Sequence, residues 1–329
     1  MKNKIVECQR CEWRCKIGEG KTGICGVRKN IKGKMELLGW GKASGLAVDP
    51  VEKKPLFHFL PGTGILSLGT VGCNFGCEFC QNYSESQRPK QKGVEVEVLE
   101  ETIVPEELVS YCVSRGIKAI AFTYNEPTIW AEFAVEVMML AKKKKILGVF
   151  VSNGFMSFET LDFIDKYIDA FNIDLKSFSE KFYKEVCHAR LAPVLRNIEE
   201  IYKRKKWLEV TTLLIPGKND STKEIRSIAK FIAGISKSIP WHVTAFHPDF
   251  KMTDLPKTSE KKLLEAAEIG KEEGLRYVYT GNIGDWQGQS TFCPRCGKEV
   301  VRRLGYMVEN KLESGKCTKC GYKIEGVWD

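Results

Sequence analysis

The chain has 329 residues, 43% of them hydrophobic and 28% charged, with a formal net charge of +9. This is ordinary globular composition, long enough for one large core with small appendages, and a single big catalytic domain fits better than two equal ones. No stretch reaches the roughly eighteen uninterrupted apolar residues of a membrane span, and the opening MKNKIVECQR lacks the apolar core of a secretory signal, so a soluble cytoplasmic protein is expected.

In chain order, residues 1–64 are rich in Gly, Lys and Cys and read as a Cys-rich, metal-binding N-terminal extension, because a piece of this size rarely builds a sufficient core unaided. Residues 65–284 alternate β-branched runs with longer amphipathic stretches, the pattern of βα units around a parallel sheet. Strands are expected at 65–71, 118–124, 147–152, 170–175, 207–215 and 241–247, with 276–280 as a seventh candidate. Helical patterns begin near Pro105, Thr128, Phe158, Val194, Thr222 and Ser259, several opened by the Pro, Ser or Thr that helix starts favour. Six units are too few to close an eight-fold barrel, so the α/β class narrows to a partial (βα)6 TIM-like barrel whose open side would admit a large substrate. Residues 285–329 carry paired Cys-x-x-Cys turns among short polar runs and form a third, ribbon-like module.

Thirteen cysteines mean either disulfides or metals, and here the spacing decides, since eleven fall into three tight groups. Cys112 and Cys187 stand alone and read as small buried hydrophobes. The last group, Cys293, Cys296, Cys317 and Cys320, has the two-knuckle spacing of a zinc ribbon, with a rubredoxin-like iron site as the alternative. Cys8, Cys11, Cys15 and Cys25 would close around zinc or a second iron-sulfur cluster, which spacing does not separate. With two four-thiolate zinc sites at about −2 each and a three-thiolate cluster at about −1, the loaded chain would sit near roughly +4. Nucleic acid is therefore disfavoured as a partner.

The middle group lies in Gly72-Cys73-Asn74-Phe75-Gly76-Cys77-Glu78-Phe79-Cys80, directly after the first expected strand. Working residues of parallel α/β proteins collect at the carboxyl ends of strands. Three thiolates leave one iron of a four-iron cube open to an outside ligand. A zinc site completed by a distant His or Cys is the competing interpretation. The spacing, with Phe79 before the last cysteine, resembles the radical S-adenosylmethionine superfamily, in which the cofactor's amino and carboxylate groups chelate the open iron of a [4Fe-4S] cluster.

On that resemblance, Thr123-Tyr124-Asn125-Glu126-Pro127 matches the segment that usually reads Gly-Gly-Glu-Pro, and Glu126 with backbone groups near Asn125 would accept from the methionine ammonium. Ser152 and Asn153 end the third strand and resemble the family's ribose contacts. Asp174 and Lys176 end the fourth, on one side of it, where the lysine would pair with the methionine carboxylate or simply form a strand-end ion pair. Thr211 stands where activating enzymes of pyruvate formate-lyase are often basic, so one contact is missing or replaced. His247 would meet adenosine or substrate, or act as a structural cap. His188 is set aside, because it and the adjacent Cys187 would not face one ion.

Together with Gly23-Ile24-Cys25-Gly26-Val27-Arg28 and the terminal ribbon, these segments resemble the radical enzymes of the AmmeMemoRadiSam system, which are similar to pyruvate formate-lyase activating enzyme. The resemblance implies reductive cleavage of S-adenosylmethionine to a 5′-deoxyadenosyl radical that takes hydrogen from a peptide or protein substrate. An electron donor such as ferredoxin or flavodoxin is implied with it. Radical modification of a small molecule or RNA, or a non-catalytic iron-sulfur electron carrier, are the rival readings.

Overall fold

The computed structural model describes residues 4–91, 94, 96, 102–284 and 287–329. They divide into two compact units, the first made of Met1–Asp49, Gly64–Phe171 and Val186–Ala189, the second of Pro50–Thr63, Asn172–Glu185 and Arg190–Asp329.

The first unit opens with two antiparallel hairpins, β1 (Val6–Glu7) with β2 (Lys16–Ile17) and β3 (Arg28–Ile31) with β4 (Lys34–Leu37). A strand that the sequence did not announce, β5 (Ser44–Pro50), follows, with mostly exposed residues that give no alternating pattern. Then come β6 (Gly64–Gly69), β7 (Ala119–Phe122) and β8 (Leu147–Ser152), paired in parallel with Leu66 opposite Ile120 and Ile120 opposite Gly148. All four residues of β7 are buried, as apolar runs covered on both faces must be. The helix Pro105–Arg115 starts on its proline and stops at Gly116, whose φ of 64° ends it in the left-handed region. At Thr128 the expected helix is entered through a 3-10 turn, Pro127–Trp130, before Ala131–Ala141. Phe158–Ile164 is capped by Ser157, whose side chain accepts from Thr160 N at 3.1 Å.

β9 (Ala170–Asp174) carries the chain from the first unit into the second. There β10 (Trp207–Leu214), β11 (Trp241–Ala245) and β12 (Val278–Gly281) pair in parallel, with Val210 opposite Trp241 and Trp241 opposite Val278. The seventh candidate strand is thus real. Ser221 and Ser259 cap the helices Thr222–Ile235 and Glu260–Glu272. Within the former, Ile225, Ile228, Ala229 and Ile232 are buried, the one-face spacing of an amphipathic helix. The C-terminal ribbon comprises β13 (Thr291–Phe292), β14 (Glu299–Leu304), β15 (Met307–Asn310), β16 (Leu312–Glu313) and β17 (Lys316–Cys317).

The second unit also encloses a polar network. Glu209 on β10 accepts from Phe57 N at 3.0 Å, His58 N at 2.8 Å and Trp207 Nε1 at 2.9 Å, and pairs with His242 Nε2 at 2.6 Å. His58 lies between the Glu325 carbonyl and the Tyr279 hydroxyl, each 2.6 Å from a ring nitrogen. The buried Arg303 guanidinium covers the Phe57 ring at 4.3 Å, with Glu52 3.6 Å from its Nε. Among the described residues no helix is long and apolar enough to cross a membrane.

Candidate metal and cofactor site

The loop bearing Cys73, Cys77 and Cys80 follows β6 in the first unit and is held from several sides. Gly72 has φ +90°, and a Cβ there would stand 2.5 Å from the Cys25 carbonyl oxygen, so a side chain is excluded both by conformation and by space. Asn125 staples the loop, its Oδ1 accepting from Thr70 N at 3.3 Å and its Nδ2 donating to Gly72 O at 2.7 Å. Gly76 N and Glu78 N each donate at 3.0 Å to the carbonyls of Cys187 and Val186. His188, in that same short segment, stands 3.6 Å from Glu78. Cys187 and Cys112 are buried, as small apolar residues would be.

Phe75 N points at Cys73 Sγ from 3.4 Å, and Lys90 Nζ donates to the Phe75 carbonyl. Burial pushes the Cys73 thiol up, and the Lys90 cation only partly opposes this. A bound metal's positive charge would favour the thiolate form here.

Tyr124 explains how Tyr-Asn replaces Gly-Gly ahead of Glu126. It takes φ +69°, a conformation a glycine would supply freely, and its hydroxyl donates to Asp49 Oδ2 at 2.6 Å. This ends β7 two residues sooner than the apolar run suggests.

Glu126 is buried at the carboxyl end of β7. Its Oε1 accepts from Thr128 N at 3.0 Å, the Thr128 hydroxyl and Ser152 Oγ at 2.7 Å, and its Oε2 accepts from Asn153 N at 2.8 Å. Burial raises its pKa, and the groups that oppose this are neutral donors. Asn153 Nδ2 donates to Asn74 Oδ1 at 2.7 Å and lies 4.0 Å from Cys73 Sγ. Thus two loops far apart in sequence, Asn125–Glu126 and Ser152–Asn153, join at Glu126; Asn125 and Asn153 reach the cysteine loop, and Phe79 of that loop is buried.

The remaining expected contacts belong to the second unit. Lys176 Nζ lies 3.0 Å from Asp174 Oδ2, the same-side pairing their spacing implies. His247 is exposed, its Nδ1 3.4 Å from the Pro248 carbonyl. Thr211 is buried and donates to Asn172 Oδ1 at 3.0 Å, so a neutral pair occupies this position.

The cysteine groups differ in spread. Cys293, Cys296, Cys317 and Cys320 are, among the described residues, the only set of three or more such ligand atoms within 4.8 Å of one another. Their Sγ atoms pair at 3.6 Å (Cys293 with Cys320) and 3.7 Å (Cys296 with Cys317), as thiolates about 2.3 Å from one tetrahedral zinc require. This group fits a single ion. The Cys73 set is wider, which suits a cube that carries each thiolate on a different iron. Asn74 and Lys90 were not singled out by spacing. Asn74 sits between two ligand candidates in the motif, yet nothing local signals that it is fully buried.

The radical SAM superfamily model matches residues 67–232. An uncharacterized protein of Methanocaldococcus jannaschii is 38% identical, over 98% of this chain and 96% of its own. The isethionate sulfite-lyase activating enzyme of Oleidesulfovibrio alaskensis is 27% identical over 43% of this chain and 46% of its own. Among solved structures, Streptococcus suis SuiB bound to the precursor peptide SuiA aligns with TM-score 0.51 at 13% identity, over 71% of this chain and 51% of that one. A radical SAM methyltransferase from Sphaerobacter thermophilus aligns with TM-score 0.51 at 13% identity, over 68% of this chain and 67% of that one. These two likenesses concern the fold. Superfamily membership implies a [4Fe-4S] cluster and S-adenosylmethionine, and the thiol loop beside a buried carboxylate suits both. The chain is an α/β enzyme that belongs to the radical SAM superfamily.

Proposed function

We propose that Cys73, Cys77 and Cys80 bind a [4Fe-4S] cluster with one iron left for S-adenosylmethionine, and that the enzyme abstracts hydrogen from a peptide or protein. With both groups bound, the chemistry supplied is reductive cleavage of the sulfonium to methionine and a 5′-deoxyadenosyl radical. The residues' part is to bind and orient. The observation that carries this reading is the Glu126 carboxylate, fully buried and held by neutral donors, with Asn153 joining it to the loop of Cys73. Such a group attracts a cation across a low-dielectric interior even where its oxygens already accept hydrogen bonds. The methionine ammonium is a cation of that kind, and backbone carbonyls near Asn125 would accept its protons. Ser152 and Asn153 would border the ribose. Asp174 with Lys176, and His247, are proposed to serve the methionine carboxylate and the adenosine. Phe79 would line the cluster. Zinc is proposed at Cys293, Cys296, Cys317 and Cys320, as a staple for the terminal strands.

The protein-substrate reading rests on relatives whose names say that they activate other enzymes, isethionate sulfite-lyase in one case and benzylsuccinate synthase in another. A low-potential donor of the ferredoxin or flavodoxin class would supply the electron. Protein reconstituted anaerobically with iron and sulfide, then given dithionite and S-adenosylmethionine, is expected to form 5′-deoxyadenosine. Cys73→Ala is expected to form none above background. Equal amounts from the two proteins would end the proposal. A deuterated candidate polypeptide should then pass its label into 5′-deoxyadenosine.

A further inference from the structure

The four N-terminal cysteines lie in the first unit, two of them, Cys11 and Cys25, against the loop of Cys73. Cys8, Cys11 and Cys25 are buried, and close enough that the charge on each bears on another. Cys8 N donates to Cys15 O at 2.9 Å across the first hairpin, and the Cys15 sulfur stands 3.6 Å from where a Cβ on Gly23 would be. Four thiols from two turns thus share one neighbourhood. They do not share one ion's spacing, since no three of these sulfurs come within 4.8 Å of one another, in contrast to the terminal ribbon.

Contacts on both sides of Cys73 tie this neighbourhood to the radical-cluster loop. The Cys25 carbonyl abuts Gly72. On the other side, the Cys11 side chain meets the Asn74 carboxamide, and Trp13 Nε1 donates to the Asn74 carbonyl at 2.8 Å. Asn74 is wholly buried, its Oδ1 accepting from Asn153 Nδ2 at 2.7 Å, so its carboxamide lies between the Cys11 side chain and the loop of Cys73. Cluster sulfur is an acceptor, and hydrogen bonds to it help set a cluster's potential. The buried Arg28 guanidinium, which donates to Ile129 O at 2.9 Å and to Glu132, adds a fixed cation beside Cys8 and Cys25. It suits a site that accumulates thiolate and sulfide charge.

The geometry points to a second iron-sulfur cluster held by Cys8, Cys11, Cys15 and Cys25, placed beside Asn74 to pass electrons to the cluster of Cys73, Cys77 and Cys80. A low-potential one-electron donor protein gives one electron and is oxidised by one. The second cluster is reduced, then reoxidised as that electron moves on. No bond forms or breaks in the polypeptide. The relay's destination rests on the proposed function; the existence of the site does not.

The test uses the full chain, reconstituted anaerobically. The triple variant Cys73→Ala, Cys77→Ala, Cys80→Ala is expected to keep about half of the parent's iron and sulfide, as one of two four-iron clusters. Its paramagnetic signal after dithionite should be unchanged by S-adenosylmethionine. A triple variant that holds zinc and no iron overturns the proposal. The converse variant Cys11→Ser should lose the signal that ignores S-adenosylmethionine and keep the one that responds to it, and a spectrum identical to the parent's overturns the proposal as well. In that variant, reduction of the remaining cluster by a flavodoxin should slow severalfold while reduction by dithionite should not; equal rates with flavodoxin overturn the relay. A parent enzyme with no signal responsive to S-adenosylmethionine would instead strike the proposed function and leave the iron count of the triple variant standing.

Discussion

Glu126 in the first unit and Glu209 in the second are the same residue in the same kind of place, a fully buried carboxylate on or just after a parallel strand, met by several donors. Their acidities move in opposite directions. Burial pushes both up, but Glu209 faces His242 and His58, which bring it below the ordinary carboxylate range, whereas the neutral hydroxyls and amides around Glu126 leave it raised. The difference teaches that the direction in which a buried carboxylate shifts depends on what meets it, imidazoles at Glu209 and hydroxyls with amides at Glu126. Glu209 has its partners within the fold and serves architecture. Glu126, for which the proposed function supplies a cation, stands at a strand's carboxyl end, whereas Glu209 lies near a strand's beginning.

The comparison breaks most sharply at Glu209. Glu209→Gln leaves His242, the Phe57 and His58 amides and nearby Arg303 without their shared acceptor charge, and should cost about 3–5 kcal/mol in denaturant unfolding of the metal-loaded chain. A loss below about 1 kcal/mol would mean the network is solvent-compensated.

Next is a pH effect carried by His58. Burial first, offset by Glu209 and the Glu325 carbonyl, lowers its pKa from 6.5 to about 4. A histidine lowered on folding is protonated more readily in the unfolded chain, so stability is intact above the unfolded value and falls as pH drops from 6.5 towards 4. The loss should approach roughly 3 kcal/mol at the lower end, and His58→Gln should lack that part of the slope. Parallel slopes in the two proteins would refute the assignment.

Much of this contrast was illegible in the sequence. The Cys73–Cys80 spacing, the ribbon knuckles and the 147–152 strand report themselves locally, because spacing and apolar runs are properties of neighbours. The Phe57 amide reaches Glu209 across 152 positions, and Asn153 reaches Asn74 across 79, which no local pattern encodes. Arg303 lies among the short polar runs of the terminal module, yet it is buried. Tyr124 conceals its turn, since a tyrosine in the left-handed region is held there by tertiary contacts, here Asp49, rather than by its own preference. Glu126 was found for its place in a motif, but the neutrality of its surroundings is visible only in three dimensions.

Glu126→Gln should sharpen the comparison from the other side. Its donors keep one carbonyl acceptor and lose a charge that no cation balances, so stability should change by only about 1–2 kcal/mol. Affinity for S-adenosylmethionine should nevertheless drop about tenfold or more, as losing a charge-assisted attraction predicts. Unchanged affinity by calorimetry would place the ammonium elsewhere. Smallest of all, Ser152→Ala removes one neutral donor and should cost about 1 kcal/mol in thermal or denaturant unfolding, while a cost near that of Glu209→Gln would erase the distinction drawn here.

The most direct measurement is electron paramagnetic resonance of the dithionite-reduced protein with and without S-adenosylmethionine labelled with nitrogen-15 at its amino group. A change of the cluster signal on addition, with coupling to the labelled nitrogen, is the expected result. A signal indifferent to the cofactor, with no such coupling, would contradict a cluster whose fourth iron is open.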